Sequence, residues 1–212
     1  IWRMTTIANE GYCYSQLSDS TNAIKCFEAH QAACQQLYNL ECDAAMNTLF
    51  ALGHEYYNHQ FENHYPKALN AYFQAYELAK NLNDSINYNS SLYCISLCYF
   101  SQSQENNGDE QGKYLENAEV FVRELRNDNE EDRYLKNLIY DNLANFYNKK
   151  SEEYLQDSIT LQQALDYSQK ALETYQKKPD ADQGVKRLLE IYKMDCLIRS
   201  NKIQEAIELG ED

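Results

Sequence analysis

The chain has 212 residues, 43% of them hydrophobic, and a net charge of −14. Two prolines and six glycines are too few for an all-β protein with tight turns about every ten residues. The acidic balance disfavours direct binding to nucleic acid or to an anionic membrane leaflet, both of which need a basic surface. It suits a basic partner segment, and equally a role in solubility alone. No apolar run approaches a membrane span. Beginning at Ile1 rather than Met, the chain reads as a fragment, so the lack of a signal peptide carries little.

The spacing predicts paired amphipathic helices throughout. Each pair, A then B, is recognised by a small residue in helix A, an aromatic three residues later, and an alanine early in helix B. In the first pair (about 4–38), helix A carries Ile7, Gly11 and Tyr14 and helix B carries Ala23, Phe27 and His30. Ser18-Asp19-Ser20 supply turn and cap residues between them. In the second (41–82), Leu49, Leu52, Gly53 and Tyr56 form one face, and Ala68, Tyr72 and Ala75 form the other. Small residues there let the helices approach, and large ones fill the gaps beside them. Pro66 falls in the first turn of helix B, where no N–H is missed.

The third pair (86–126) has Leu92, Ile95, Ser96 and Tyr99, then Ala118, Val122 and Leu125. The polar run between them, about Gln104 to Gly112, is expected to be an edge loop, with either helix extended by a turn as the alternative. The fourth pair (129–177) starts at an acidic N-terminal signal, Asn127 to Asp132. This run reads most simply as a cap and turn. Helix A carries Tyr140, Leu143, Ala144 and Tyr147. A second expected edge loop, Lys149 to Ile159, precedes Thr160-x-x-Gln163, which reads as a capping box. Helix B carries Ala164, Tyr167, Ala171 and Tyr175. The last unit (180–212) is a partial repeat or a capping element containing Ala206. The helix B alanines at 23, 68, 118, 164 and 206 are spaced by 45, 50, 46 and 42 residues, longer than the minimal helical-hairpin repeat.

The seven cysteines include no C-x-x-C and sit at small-residue helix positions. They read as reduced core thiols of a cytosolic-type compartment, against which the sequons at Asn83 and Asn89 argue weakly. His54-Glu55-x-x-x-His59 has an i, i+5 spacing that points the imidazoles about 140° apart on a helix, so a metal site is not expected. His30 reads as a packing histidine. No nucleophile elbow, phosphate loop or dinucleotide fingerprint is present. No catalytic residue, cofactor or metal is therefore assigned.

The phrases A-L-G-H-E-Y-Y (Ala51 to Tyr57) with A-L-N-A-Y-F-Q-A-Y-E-L-A (Ala68 to Ala79), and L-A-N-F-Y (Leu143 to Tyr147) with A-L-D-Y-S-Q-K-A-L (Ala164 to Leu172), resemble the tetratricopeptide repeat (TPR) family. The long repeats resemble the subgroup containing LGN/Pins-type spindle adaptors, rapsyn, Tonsoku-like and axonemal TPR proteins. The resemblance implies an all-α fold, a right-handed superhelix (α-solenoid) of about four to five hairpins in a single domain over 1–212. Its helix A residues would line a concave groove for a partner peptide or helix. Carried over by position, the groove residues are Tyr12 and Ser15; Asn47, Phe50, His54 and Tyr57; Tyr93, Leu97 and Phe100; and Asp141, Asn145 and Asn148. Asn145 matches the groove asparagine, whose amide can bond a peptide backbone. The family's carboxylate clamp and arginine ladder are missing.

The stripe Phe50, Tyr57, Tyr93 and Phe100 reads either as core or, where exposed, as peptide anchors. The function implied is a non-enzymatic interaction scaffold in the cytoplasm, with cytoskeletal or ciliary settings known for the subgroup. The alternative is a structural subunit of a large assembly, contacting partners through the edge loops and convex face. A regulatory domain of an enzyme outside this span is a third reading.

Overall fold

The computed structural model describes residues 2–38, 43–58, 64–126, 129–155 and 160–211. Among them there are ten helices and no strand. The chain divides into two compact units, Ile1–Gln102 and Ser103–Asp212.

In the first unit, α1 (Trp2–Gln16) pairs with α2 (Ser20–Tyr38), and α3 (Asp43–Asn58) pairs with α4 (His64–Asn81). α2 also packs on α3, and α5 (Ser85–Glu105) contributes its residues up to Gln102. The large-small expectation is met at two glycines. A Cβ at Gly11 would fall 2.7 Å from the Phe27 ring, and one at Gly53 would overlap the ring of Tyr72. Phe27 and Tyr72 are buried, so each ring fills the space that its glycine leaves open.

One stop-and-start device is used twice here. Ser18 ends α1 with φ 59°, and the Asp19 N–H reaches back to the Tyr14 carbonyl at 2.9 Å. Asn83 ends α4 with φ 53°, and the Asp84 N–H reaches Ala79 at 2.9 Å. Left-handed backbone at this point satisfies the last carbonyls of a helix. The aspartate then starts the next helix. Asp19 accepts from the Asn22 N–H at 3.2 Å, and Asp84 from the Ile86 and Asn87 N–H groups at 3.1 Å. The shared sequence is D-S-x-N, and the asparagine amide closes onto the same carboxylate in both places.

In the second unit, α6 (Gly108–Val122) packs on α7 (Glu130–Leu155), α7 on α8 (Leu161–Gln176), α8 on α9 (Gln183–Arg199), and α9 on α10 (Ile203–Glu211). A third ring-over-glycine contact occurs between Gly112 of α6 and Phe146 of α7. Asn129 caps α7 by accepting from the Asp132 N–H at 2.7 Å. Asp182 caps α9 through the Gly184 and Val185 N–H groups at 2.8 and 3.0 Å. The Tyr175 hydroxyl accepts from the Asp182 N–H at 3.0 Å, tying that cap to α8.

Four expectations are corrected. The run from Gln104 to Gly112 has a two-residue break at Asn106-Asn107 rather than a long edge loop, which is the alternative of extended helices. α5 continues to Glu105 and α6 starts at Gly108, because this polar stretch has no helix breaker except at the Asn107-Gly108 junction, where Gly108 has φ 59°. Most of the second expected loop is likewise helix, as α7 runs to Leu155, and residues 156–159 lie outside the described residues. Thr160 makes no capping box. Its hydroxyl instead donates to the Tyr154 carbonyl at 2.7 Å, closing the connection to α7. Not every cysteine is a core thiol: Cys34, Cys98 and Cys196 are buried, but Cys13 is exposed on α1. Cys42 and His59 lie outside the described residues.

Candidate functional site

In the first unit, α3 presents Asn47, Phe50, His54 and Tyr57 along one flank. Asn47 and His54 are exposed, and Phe50 and Tyr57 are half-buried. Their rings are backed by α4. Phe50 lies 6.4 Å from both His54 and Tyr72 between ring centres, and His54 meets Tyr72 edge-on at 5.6 Å. Tyr57 meets Tyr65 edge-on at 6.1 Å and shares a 2.7 Å hydrogen bond with Ser101 of α5. Phe50 also packs on the buried cluster that includes Cys34, Met46 and Leu49. The aromatic row is thus fixed from behind and open in front.

Burial controls the charge state here. The Tyr72 phenol is pushed far up by burial, and then by the neighbouring Cys94 and Cys98 thiols. Burial also raises both thiols to about 12. The phenol therefore keeps its proton, and its oxygen lies within hydrogen-bond distance of His54 Nδ1, at 3.0 Å. Packing lowers the His54 pKa, opposed by Glu55, so the imidazole is neutral and able to accept.

His30 is a packing histidine. Its Nδ1 lies 2.7 Å from Thr48 Oγ1, whose single proton goes to the Ala44 carbonyl at 2.9 Å. Nδ1 must then be the donor, which sets the tautomer. Burial lowers the His30 pKa.

The remaining groove residues are placed as follows. Tyr12 is 43% exposed and edge-on to Phe27 at 5.1 Å. Ser15, Tyr93, Leu97 and Phe100 are half-buried. In the second unit Asn145 is exposed, and Asn148 is half-buried with its amide donating to Glu152 at 3.1 Å. Asp141 is held by Lys178 at 2.8 Å. It belongs to a ladder on α7 that grips the α8–α9 connection, in which Arg133 and Asn137 each hold Asp180 at 2.7 Å. Sequence reasoning missed this ladder. The i, i+4, i+8 spacing of Arg133, Asn137 and Asp141 put them on one face, but their partners lie about forty residues on.

The second unit has its own aromatic row. Tyr147 neighbours Phe146 and Tyr167, and Tyr154 stacks on Tyr167 at 5.5 Å. Lys170 lies over both Tyr147 and Tyr167, at 5.3 and 5.7 Å from the ring centres. The Tyr147 hydroxyl donates to Glu116 at 2.7 Å. No group of three or more metal-ligating side chains occurs among the described residues.

No family model matches the chain, and no curated protein matches it. Among solved structures it is similar to a Podosopora anserina putative kinesin light chain with nearly identical TPR-like repeats. That match has 15% identity and a TM-score of 0.44, and covers 99% of this chain and 92% of the other. A variant of the same protein matches with 15% identity, the same coverage and a TM-score of 0.45. The paired helices, α1 with α2, α3 with α4 and α7 with α8, with rings seated over helix glycines, make the fold all-α and built of helical hairpins.

Proposed function

We propose that this chain is a non-enzymatic protein-interaction scaffold, and that the α3 flank of the first unit takes a peptide or helix from another protein. The observation that carries the reading is the backed aromatic row. Phe50 and Tyr57 are held by Tyr72, Tyr65 and Ser101, so they lose little freedom when a ligand covers them. Asn47 and His54, exposed beside them, supply polar groups that fix the orientation of a bound backbone. The net charge of −14 favours a basic or amphipathic partner segment, and the buried thiols Cys34, Cys98 and Cys196 suit a reducing, cytoplasmic setting.

The test compares the wild-type chain with an Asn47→Arg/His54→Ala variant in a pull-down from the native source. The recovered partner is then titrated as peptides by fluorescence anisotropy. The expected result is loss of the partner at unchanged helicity, with peptide affinity falling at least tenfold. An unchanged partner set and unchanged peptide affinity would remove the α3 flank as the site and turn attention to the convex face.

A further inference from the structure

The open side of α3 carries two parallel rows. Phe50 and Tyr57 are seven residues apart, and so are Asn47 and His54. Seven residues make two turns, so each row repeats at about 10.5 Å along the helix. The rings are half-buried and the polar pair is exposed. The rings lie toward α5. Tyr57 shares a hydrogen bond with Ser101, and Tyr72, which neighbours Phe50, is hydrogen-bonded to Cys94. This strip is free of charge. In a chain that is 25% charged, α5 has no Asp, Glu, Lys or Arg from Ser85 to Gln102. On α3 the charged residues are Asp43, the first of the helix, and Glu55. Glu55 is buried and lies about 140° around the helix from Phe50.

A charged ligand side chain would lose water on this strip and gain no counter-ion, so the ligand residues in contact are uncharged. The two rows then discriminate between backbone shapes. A ligand helix offers apolar side chains to the rings, but its carbonyls are spent on its own N–H groups and give the Asn47 amide no acceptor. A polyproline II segment has no internal hydrogen bonds, so its carbonyls accept from that amide. Its turn of three residues advances about 9 Å, within about 1.5 Å of the repeat of both rows. Prolines three apart set their rings against Phe50 and Tyr57 in turn, while a carbonyl faces Asn47 and, one ligand turn on, His54. The ligand is ordered before it binds, and aromatic-lined grooves take such segments for that reason. We infer, on the scaffold reading of the α3 flank, that the partner segment is proline-rich and lies along α3 as a polyproline II helix. The net charge of the chain then acts on the residues flanking the proline stretch.

The test titrates a fluorescein-labelled ten-proline peptide with the full chain, read by fluorescence anisotropy. Saturable binding to wild type is expected, and about tenfold weaker binding to Asn47→Asp. That change keeps the size of the side chain and removes its donors, and an uncharged ligand meets no added repulsion. Circular dichroism is expected to be unchanged, because Asn47 is exposed. Absence of binding to wild type overturns the inference, and so does equal binding to Asn47→Asp. In either case, a partner lost from Asn47→Arg/His54→Ala in the pull-down keeps the scaffold reading and gives the flank to a helix instead. A partner retained by that variant removes the scaffold reading of the flank and the inference together.

Discussion

The two units lock their helices together differently. In Ile1–Gln102 the locks described above are rings over glycines and buried neutral hydrogen bonds: Gly11 with Phe27, Gly53 with Tyr72, and His30 with Thr48. Ser103–Asp212 has one such ring contact, Gly112 with Phe146, and adds charged stitches between elements. Lys178 holds Asp141, Lys177 holds Glu119, Lys150 holds Asp109 and Arg133 holds Asp180. Steric locks are insensitive to salt and fail abruptly when their shape changes. Ionic stitches are screened and fail gradually. The same hairpin architecture is thus kept by two kinds of force.

The largest effect should come from breaking a steric lock. Gly53→Ala places a methyl group in the Tyr72 ring, and overpacking of this kind costs about 1–3 kcal/mol. Urea unfolding should show a lower midpoint, by the same amount in low and high salt. A midpoint equal to wild type would mean that the α3–α4 contact yields easily, and the contrast between units would fall.

Next comes Thr48→Val, which leaves the buried His30 N–H without an acceptor. Its expected cost is about 1–3 kcal/mol, read by the same titration.

The third effect depends on pH. His30 and His54 both have lowered pKa values in the fold, while the unfolded chain protonates near the ordinary value of 6.5. Between those values the unfolded state binds more protons, so stability is complete above about pH 6.5 and falls as the pH drops toward the folded values. The melting temperature should decline through this window, and His30→Gln should flatten part of the decline. An equally steep decline in His30→Gln would remove His30 from the account.

The smallest effect belongs to the ionic stitches. Lys178→Met removes a partly buried pair and should cost less than about 1 kcal/mol. The difference from wild type should shrink in 1 M salt, taken as roughly a threefold shorter screening length than at 0.1 M. A salt-independent difference would show that Lys178 acts by packing its stem.

The sequence made the helix pairing legible wherever the pattern was local. Gly11, Gly53, Ala68 and the Ser18-Asp19-Ser20 break could be read because their neighbours within one or two turns carry the signal. Gly112 could not. It sits in a polar run that looks like a loop, and its partner Phe146 is 34 residues away on another helix. The candidate site was legible as a flank of α3, but the depth of each ring was not. Whether Phe50 and Tyr57 stand open or half-buried depends on Tyr72, Tyr65 and Ser101, which no spacing on α3 reports. Asp141 was read as a groove residue from its position. That Lys178 would hold it follows only from how the α8–α9 connection returns to α7.

Within each unit, helices pack chiefly on the helices beside them in the chain. Contacts that are close in sequence need little loop closure before they form, so the search for the native state is short. Each unit should therefore fold on the fast timescale of helical proteins. A new hairpin can be added to, or lost from, such a row without changing how the others find their partners, which is a route by which repeats of 42 to 50 residues come to differ in length.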